Sequence, residues 1–252
     1  MVDLSLDTLQ KEKKMWNPSQ KVLGVVGGMG PLATQLFYRR IIEKTDAVKD
    51  QDHLDMILLN HASMPDRTEA ILSGNTDDLY RLLLADILFL ETSGVAAIAI
   101  PCNTSHLLVD QLQTETQIPI LHMIRETASS IRNAFPTIRR VGLLATDGTI
   151  RSGLYQQELL ACGIEAYVPG ANTQKLVMKI IYDGIKSGNE IDYNDFITIE
   201  GELSANGCQS AVLACTELSC FKEMYRLPRY YIDAMDVLAE RSIEACGKCC
   251  KT

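Results

Sequence analysis

Two cysteines stand where this chain could do chemistry. Cys102, in AIPCNTSH (99–106), and Cys215, in LACTELSC (213–220), each close an apolar run and precede small polar residues. The apolar runs read as buried strands. The residues next in line, Asn103, Thr104 and Ser105 in one case and Thr216 and Glu217 in the other, are of the kind that starts a helix. In an open α/β sheet, ligands bind at the carboxyl ends of the strands, where both sulfurs are expected. A thiol at a helix N-terminus meets unpaired N–H groups and the positive end of the helix dipole, which are predicted to lower its pKa from roughly 8.5 toward neutrality. That would make a nucleophile or a base. The competing reading is that each is a small buried hydrophobe, but a shared context at two related positions argues for a pair. Cys162, Cys208, Cys220, Cys246, Cys249 and Cys250 have neither context.

Two equivalent thiols suit one reaction type. Inverting a stereocentre takes a base on one face of a carbon and an acid on the other, and the roles exchange with direction. A pair of groups on two related halves, with substrate in the cleft between them, meets that symmetry. General acid–base catalysis works best with a pKa near the operating pH, which a tuned thiol can supply.

The elements that must position the pair are legible in the hydrophobic pattern. Strands are expected at 21–27, 55–61, 95–101, 118–121, 140–146, 165–169, 210–215 and 230–234. They alternate with amphipathic segments such as DDLYRLLLADILFLETSG and TQKLVMKIIYDGIKSG. This alternation predicts parallel sheets with crossover helices, and the continuous apolar strands predict sheets covered on both faces. An internal repeat is also visible. VLGVVGGMGPLATQLFYRRI and VGLLATDGTIRSGLYQQELL are each strand, Gly/Thr-rich turn and helix, and each precedes its cysteine by a similar distance. The expected fold is therefore two pseudo-symmetric Rossmann-like (flavodoxin-like) α/β domains with the site in the cleft. Residues 1–20 read as an appended arm, 21–121 plus 230–252 as the first domain, and 122–229 as the second.

The chain has 252 residues, 46% hydrophobic and 6% aromatic, enough for a full aliphatic core. A net charge of −8 without a basic stripe argues against a nucleic-acid partner. Asp86 and Glu91 interrupt the longest apolar stretch, and no signal-peptide pattern opens the chain, so a soluble, cytoplasmic protein with no membrane partner is expected. The eight cysteines are scattered through apolar segments, which favours reduced thiols over a disulfide framework.

GVVGGMGP, NHASMPDR, PCNT and ACTEL, in this order over about residues 21–240, resemble the aspartate/glutamate racemase superfamily, and its aspartate racemase branch in particular. The glutamate branch typically carries a histidine where this chain has Glu217. The resemblance implies a pyridoxal-phosphate-independent racemase that needs no cofactor and interconverts L- and D-aspartate, with glutamate a second candidate, using Cys102 and Cys215 as the proton-transfer pair. It assigns substrate contacts to Asn103, Thr104 and Ser105 at the first strand end, to Thr216 and Glu217 at the second, and to Thr146 and Met29. Arg67 matches an arginine that binds a substrate carboxylate, a role suited to a fork-shaped guanidinium, and Lys186 takes a second cationic position. Arg67 could instead be a surface residue paired with Asp66 or Glu69, and Lys186 a solvated helix-end lysine. The expected partner is a small acidic amino acid, and relatives imply a homodimer.

Other chemistries fit less well. GGMGPLA after a strand satisfies a dinucleotide fingerprint, but the second strand ends in Asn60 and His61 rather than in a ribose-binding acid. No histidine or cysteine spacing suggests a metal site, and nothing marks a Schiff-base lysine with a phosphate cup. A Cys102–His106 hydrolase lacks an orienting third group. A diacid isomerase or decarboxylase of the same superfamily, and a non-catalytic amino-acid-binding protein on the same scaffold, remain as alternatives.

Overall fold

The computed structural model describes residues 20–251, so all of the expected 1–20 arm but Gln20 lies outside the described residues. In the first half β1 (Leu23–Gly27), β2 (Met56–Asn60) and β3 (Ala97–Ala99) form a parallel sheet in the order β2-β1-β3. The run expected as a strand at 118–121 contributes one parallel bridge, Ile98 to Ile120. In the second half β4 (Arg140–Ala145), β5 (Glu165–Tyr167), β6 (Ser210–Ala214) and β7 (Tyr231–Asp233) pair in parallel in the order β5-β4-β6-β7. With Ile120 taken as the fourth track, both halves have the same second-first-third-fourth order. The repeat in the sequence is thus a repeat of topology.

Helices cover both sheets. Helix α1 (Pro31–Lys44) comes after β1, while α2 (Arg67–Ser73) and α3 (Asp77–Thr92) precede β3. Helix α4 (Val109–Gln113) ends the first half, and α5 (Met123–Ala134) leads into β4. Then come α6 (Asp147–Ser152), α7 (Leu154–Ala161), α8 (Ala171–Lys179), α9 (Tyr193–Ala205), α10 (Thr216–Tyr225) and α11 (Ala234–Ala245). A π-helical turn, Ile180–Lys186, extends α8. None of the described helices is long and apolar enough to cross a membrane.

Both faces of β1, β3, β4 and β6 are buried, which is why they read as unbroken apolar runs, while the edge strands β2 and β5 are partly exposed. Val141, Leu143 and Ala145 of β4 point into one cluster with Val212 and Ala214 of β6, while Leu144, Ala211 and Leu213 join another. Each such valine or leucine side chain contributes about 1.5–3 kcal/mol on burial.

The expected return of 230–252 to the first half needs a correction. Its strand, β7, hydrogen-bonds to β6 through Ala211–Tyr231, Val212–Ile232 and Leu213–Asp233, and so lies in the second sheet. It is the counterpart of the Ile120 track, a fourth strand that the repeat demanded. The helix behaves differently. Leu238, Ala239 and Ile243 of α11 share a core with Leu23 and Val25 of β1 and Ala97 and Ala99 of β3. Reciprocally, Ile124, Ala128 and Ile131 of α5 pack with Val141 and Leu143 of β4. Each half thus sends its last helix to the other's sheet, and α5 and α11 meet each other there.

Candidate active site

Strand ends build the site. Cys102 lies just past β3 and Cys215 just past β6, at repeat-equivalent positions, and both are 6% exposed. One chamber is lined by both cysteines together with Met29, Asp66, Arg67, Thr68, Asn103, Thr104, Thr146, Tyr182, Lys186, Thr216 and Glu217. Every residue singled out from the sequence for the site lines it except Ser105. That hydroxyl is fully buried behind the chamber and donates to Met29 Sδ at 3.4 Å.

The two strand ends lead into different local structures. The expected capped helix after Cys102 is a 3-10 turn, Thr104–Leu108, with no side-chain cap bond from Asn103. Asn103 instead accepts a 2.6 Å hydrogen bond at Oδ1 from the Tyr155 hydroxyl, and its buried Nδ2 has no protein partner among the described residues. The Thr104 hydroxyl lies 3.1 Å from that of Thr146 and 2.8 Å from that of Thr149, which closes a hydroxyl cluster across the two halves. After β6 a true helix starts, with Cys215 in the cap position and Glu217 in the first turn.

Glu217 overturns one expectation from the sequence. The Cys215 thiol donates to Glu217 Oε2 at 2.9 Å. Burial and then the Glu217 carboxylate push the Cys215 thiol well above its ordinary range, in place of the lowering predicted from the helix end. The anion beside the sulfur and the loss of solvent outweigh the dipole. Glu217 Oε1 is buried and has no protein partner among the described residues, so it remains free to accept.

The cations face this pair. Arg67 opens α2 and is 9% exposed, so it is not a surface residue. Its Nη1 donates to the Pro65 carbonyl at 2.9 Å, and its buried Nε has no protein partner among the described residues. Burial works against its charge, but Cys102, Asp66 and Glu217 more than offset that. Lys186, the last residue of the π-helical turn, sits 3.5 Å from Asp66 Oδ2 and 4.1 Å above the Tyr182 ring. Asp66 also caps α2 through the Glu69 amide and accepts from the Tyr182 hydroxyl at 3.1 Å. Despite burial, the Glu69 amide, Lys186 and Arg67 hold its carboxyl below the usual range.

Sequence reasoning missed Asp66, Thr68 and Tyr182 as lining residues. Asp66 and Thr68 flank Arg67 and were within reach of that motif. Tyr182 carried no signal, because a helical pattern does not say which turn will widen into a π-helix.

The glycine turn supports the chamber floor. Gly28 has φ +90°, and a Cβ there would lie 2.4 Å from the His61 backbone, so only glycine fits. Its amide donates to the Thr34 hydroxyl at 2.8 Å, which ties the turn to α1. A Cβ on Gly30 would come within 3.4 Å of Glu217 Oε1.

Two parallel α/β halves with a thiol at each matching strand end, sharing one polar chamber, define a racemase-type scaffold. The chain belongs to the family described as Asp/Glu/Hydantoin racemase, whose profile matches residues 26–241. Among solved structures it is similar to the aspartate racemase of Picrophilus torridus, at 32% identity and TM-score 0.77, covering 92% of this chain and 96% of that one. It is 27% identical over 228 residues to the broad specificity amino-acid racemase RacX of Bacillus subtilis, 88% of this chain and 96% of that protein. The glutamate racemase of Francisella tularensis, at 21% identity and TM-score 0.65, covering 90% of this chain and 81% of that one, shares the fold.

Proposed function

We propose that this protein is a cofactor-independent amino-acid racemase that interconverts L- and D-aspartate, and glutamate as a second acidic substrate, by two-base proton transfer between Cys102 and Cys215. The observation that carries the reading is the pair of thiols at repeat-equivalent strand ends in one chamber that also holds Arg67 and Lys186. Family membership supports the reaction class.

The charges suggest how a turnover begins. Cys215, kept as a thiol by burial and Glu217, is the proton donor at rest. Cys102, beside Arg67, is the group that takes the α-proton. Arg67 and the Asn103 amide orient the α-carboxylate, and Arg67 also offsets the negative charge that develops as the α-carbon loses its proton. Donation from Cys215 on the opposite face completes inversion, and the reverse direction exchanges the two roles. The homodimeric, cytoplasmic setting implied by the resemblance is part of the same proposal.

The test is α-deuterium incorporation into L- and D-aspartate in D₂O, read by NMR with thiols reduced and no cofactor added. Wild type should exchange both enantiomers, and Cys102→Ala or Cys215→Ala should lower racemisation by at least about 100-fold, as expected when a general acid or base is removed. Wild type that binds aspartate yet exchanges neither enantiomer would overturn racemisation of aspartate.

A further inference from the structure

We infer that Asp66 sets the substrate range of this site, and that the range extends to neutral aliphatic amino acids whose side chains enter an outer chamber beside the cysteines. The inference rests on the racemase reading above. Its first support is the balance of charge. The cations lining the inner chamber, Arg67 and Lys186, are matched by two carboxylates, Asp66 and Glu217. Lys186 is engaged already, 3.5 Å from Asp66 Oδ2, with the Tyr182 hydroxyl fixing the same carboxylate from its other side. Arg67 is the cation whose guanidinium still has an unpartnered buried nitrogen among the described residues. An amino acid needs one cation for its α-carboxylate. Aspartate needs a second for its side chain, and must draw Lys186 away from Asp66 while that carboxylate stays nearby and repels it. A neutral side chain meets no such opposition.

The second support is shape. The inner chamber leaves about 10 Å³ for the centre of a water-sized sphere, room for about one water. Next to it lies a chamber of about 410 Å³ by the same measure, walled by Pro31, Leu32, Ala33, Ala62 and Ile185. Arg67, Lys186 and Glu217 line both, so these three side chains form the partition. Because the inner chamber holds about one water, an amino acid reaches the sulfurs only when this partition gives way, and a side chain longer than that of aspartate then meets the aliphatic walls of the outer chamber. Ligand sites are mostly apolar with a few placed polar groups, and the two chambers together have that composition.

D66N isolates the charge. It keeps an oxygen to cap the Glu69 amide and to accept from the Tyr182 hydroxyl, since asparagine caps helices as well as aspartate does, and it releases Lys186. Leu32→Asp places a carboxylate in the outer wall at a half-exposed position of α1. The experiment measures α-deuterium exchange of L-aspartate, L-norleucine and L-methionine by wild type and both variants, with melting curves to confirm folding. Wild type should exchange norleucine and methionine. D66N should raise the aspartate-to-norleucine rate ratio about tenfold, and Leu32→Asp should lower the norleucine-to-aspartate ratio about fivefold, as charge near a charged substrate dictates. Exchange of aspartate but of neither aliphatic substrate, or an unchanged ratio in folded D66N, overturns this inference and leaves the racemase reading standing. Exchange of no amino acid at all overturns both.

Discussion

Cys215 and Glu217 form a hydrogen-bonded pair in which the carboxylate accepts from the thiol, so the proton is stored on sulfur rather than on oxygen. A like charge held against a buried thiol favours its neutral form. Glu217→Gln removes that charge while keeping an acceptor, so the Cys215 thiol should titrate at lower pH, and alkylation by iodoacetamide should become faster near pH 8. An unchanged pH profile of alkylation would show that burial alone sets the thiol. Cys102, Cys215, Arg67 and Lys186 were legible as residues of the shared chamber because their types and motif positions announce chemistry. The direction of the thiol shift was not. It depends on a carboxylate folding back from the first turn of α10, and spacing alone says nothing about that rotamer.

At the level of elements, the segment joining the halves is fastened to the Cys102 strand end by one histidine. His106 Nε2 accepts from the Met123 amide at 3.0 Å, so Nδ1 carries the proton and donates to the Cys102 carbonyl at 2.8 Å. This histidine, weighed from the sequence as a hydrolase partner, is a brace between the 3-10 turn and the start of α5. Burial first, then the charge of neighbouring His122, push its imidazole down to about 4, while the Cys102 and Leu121 carbonyls and then Asp110 act the other way. The folded value lies below the unfolded value of about 6.5, so the stabilisation is complete above that pH and is lost as pH falls toward about 4, at most roughly 3 kcal/mol. The urea midpoint should therefore drop between pH 6.5 and 4, and His106→Gln should flatten that drop, because an amide can replace both hydrogen bonds without gaining charge. An equally steep drop in the variant would assign it to other groups. The glycine turn offers a second check at this scale. Gly28→Ala forces a β-carbon against the His61 backbone at φ +90° and should cost about 3 kcal/mol or more in thermal or denaturant unfolding.

For the molecule as a whole, the exchange of terminal helices determines how the halves unfold. Helix α11 comes after the last strand of the second sheet yet buries Leu238, Ala239 and Ile243 with residues of the first, while α5 does the converse. Neither half has a complete core without the other's helix. Unfolding should accordingly be a single cooperative transition, coincident by far-UV circular dichroism and by exposure of buried thiols. Leu238→Ala should destabilise that one transition by about 2–5 kcal/mol rather than split it. Two separated transitions in wild type would show that the halves are independent.

By itself the sequence determined most of the strands, their parallel direction in two repeats, and the matching strand-end positions of Cys102 and Cys215, because hydrophobic period and repeated motifs are local properties that survive in one dimension. It also pointed to Arg67 and Lys186 through motifs of the resembling family. Only the tertiary structure decided that β7 closes the second sheet while α11 covers the first. Pairing edges and packing faces are chosen by burial over the whole chain, and both choices suit the same apolar string. It also decided that Asp66 reaches Tyr182 and Lys186, because its distance in sequence from their π-helical turn is bridged only when the two halves close on one another.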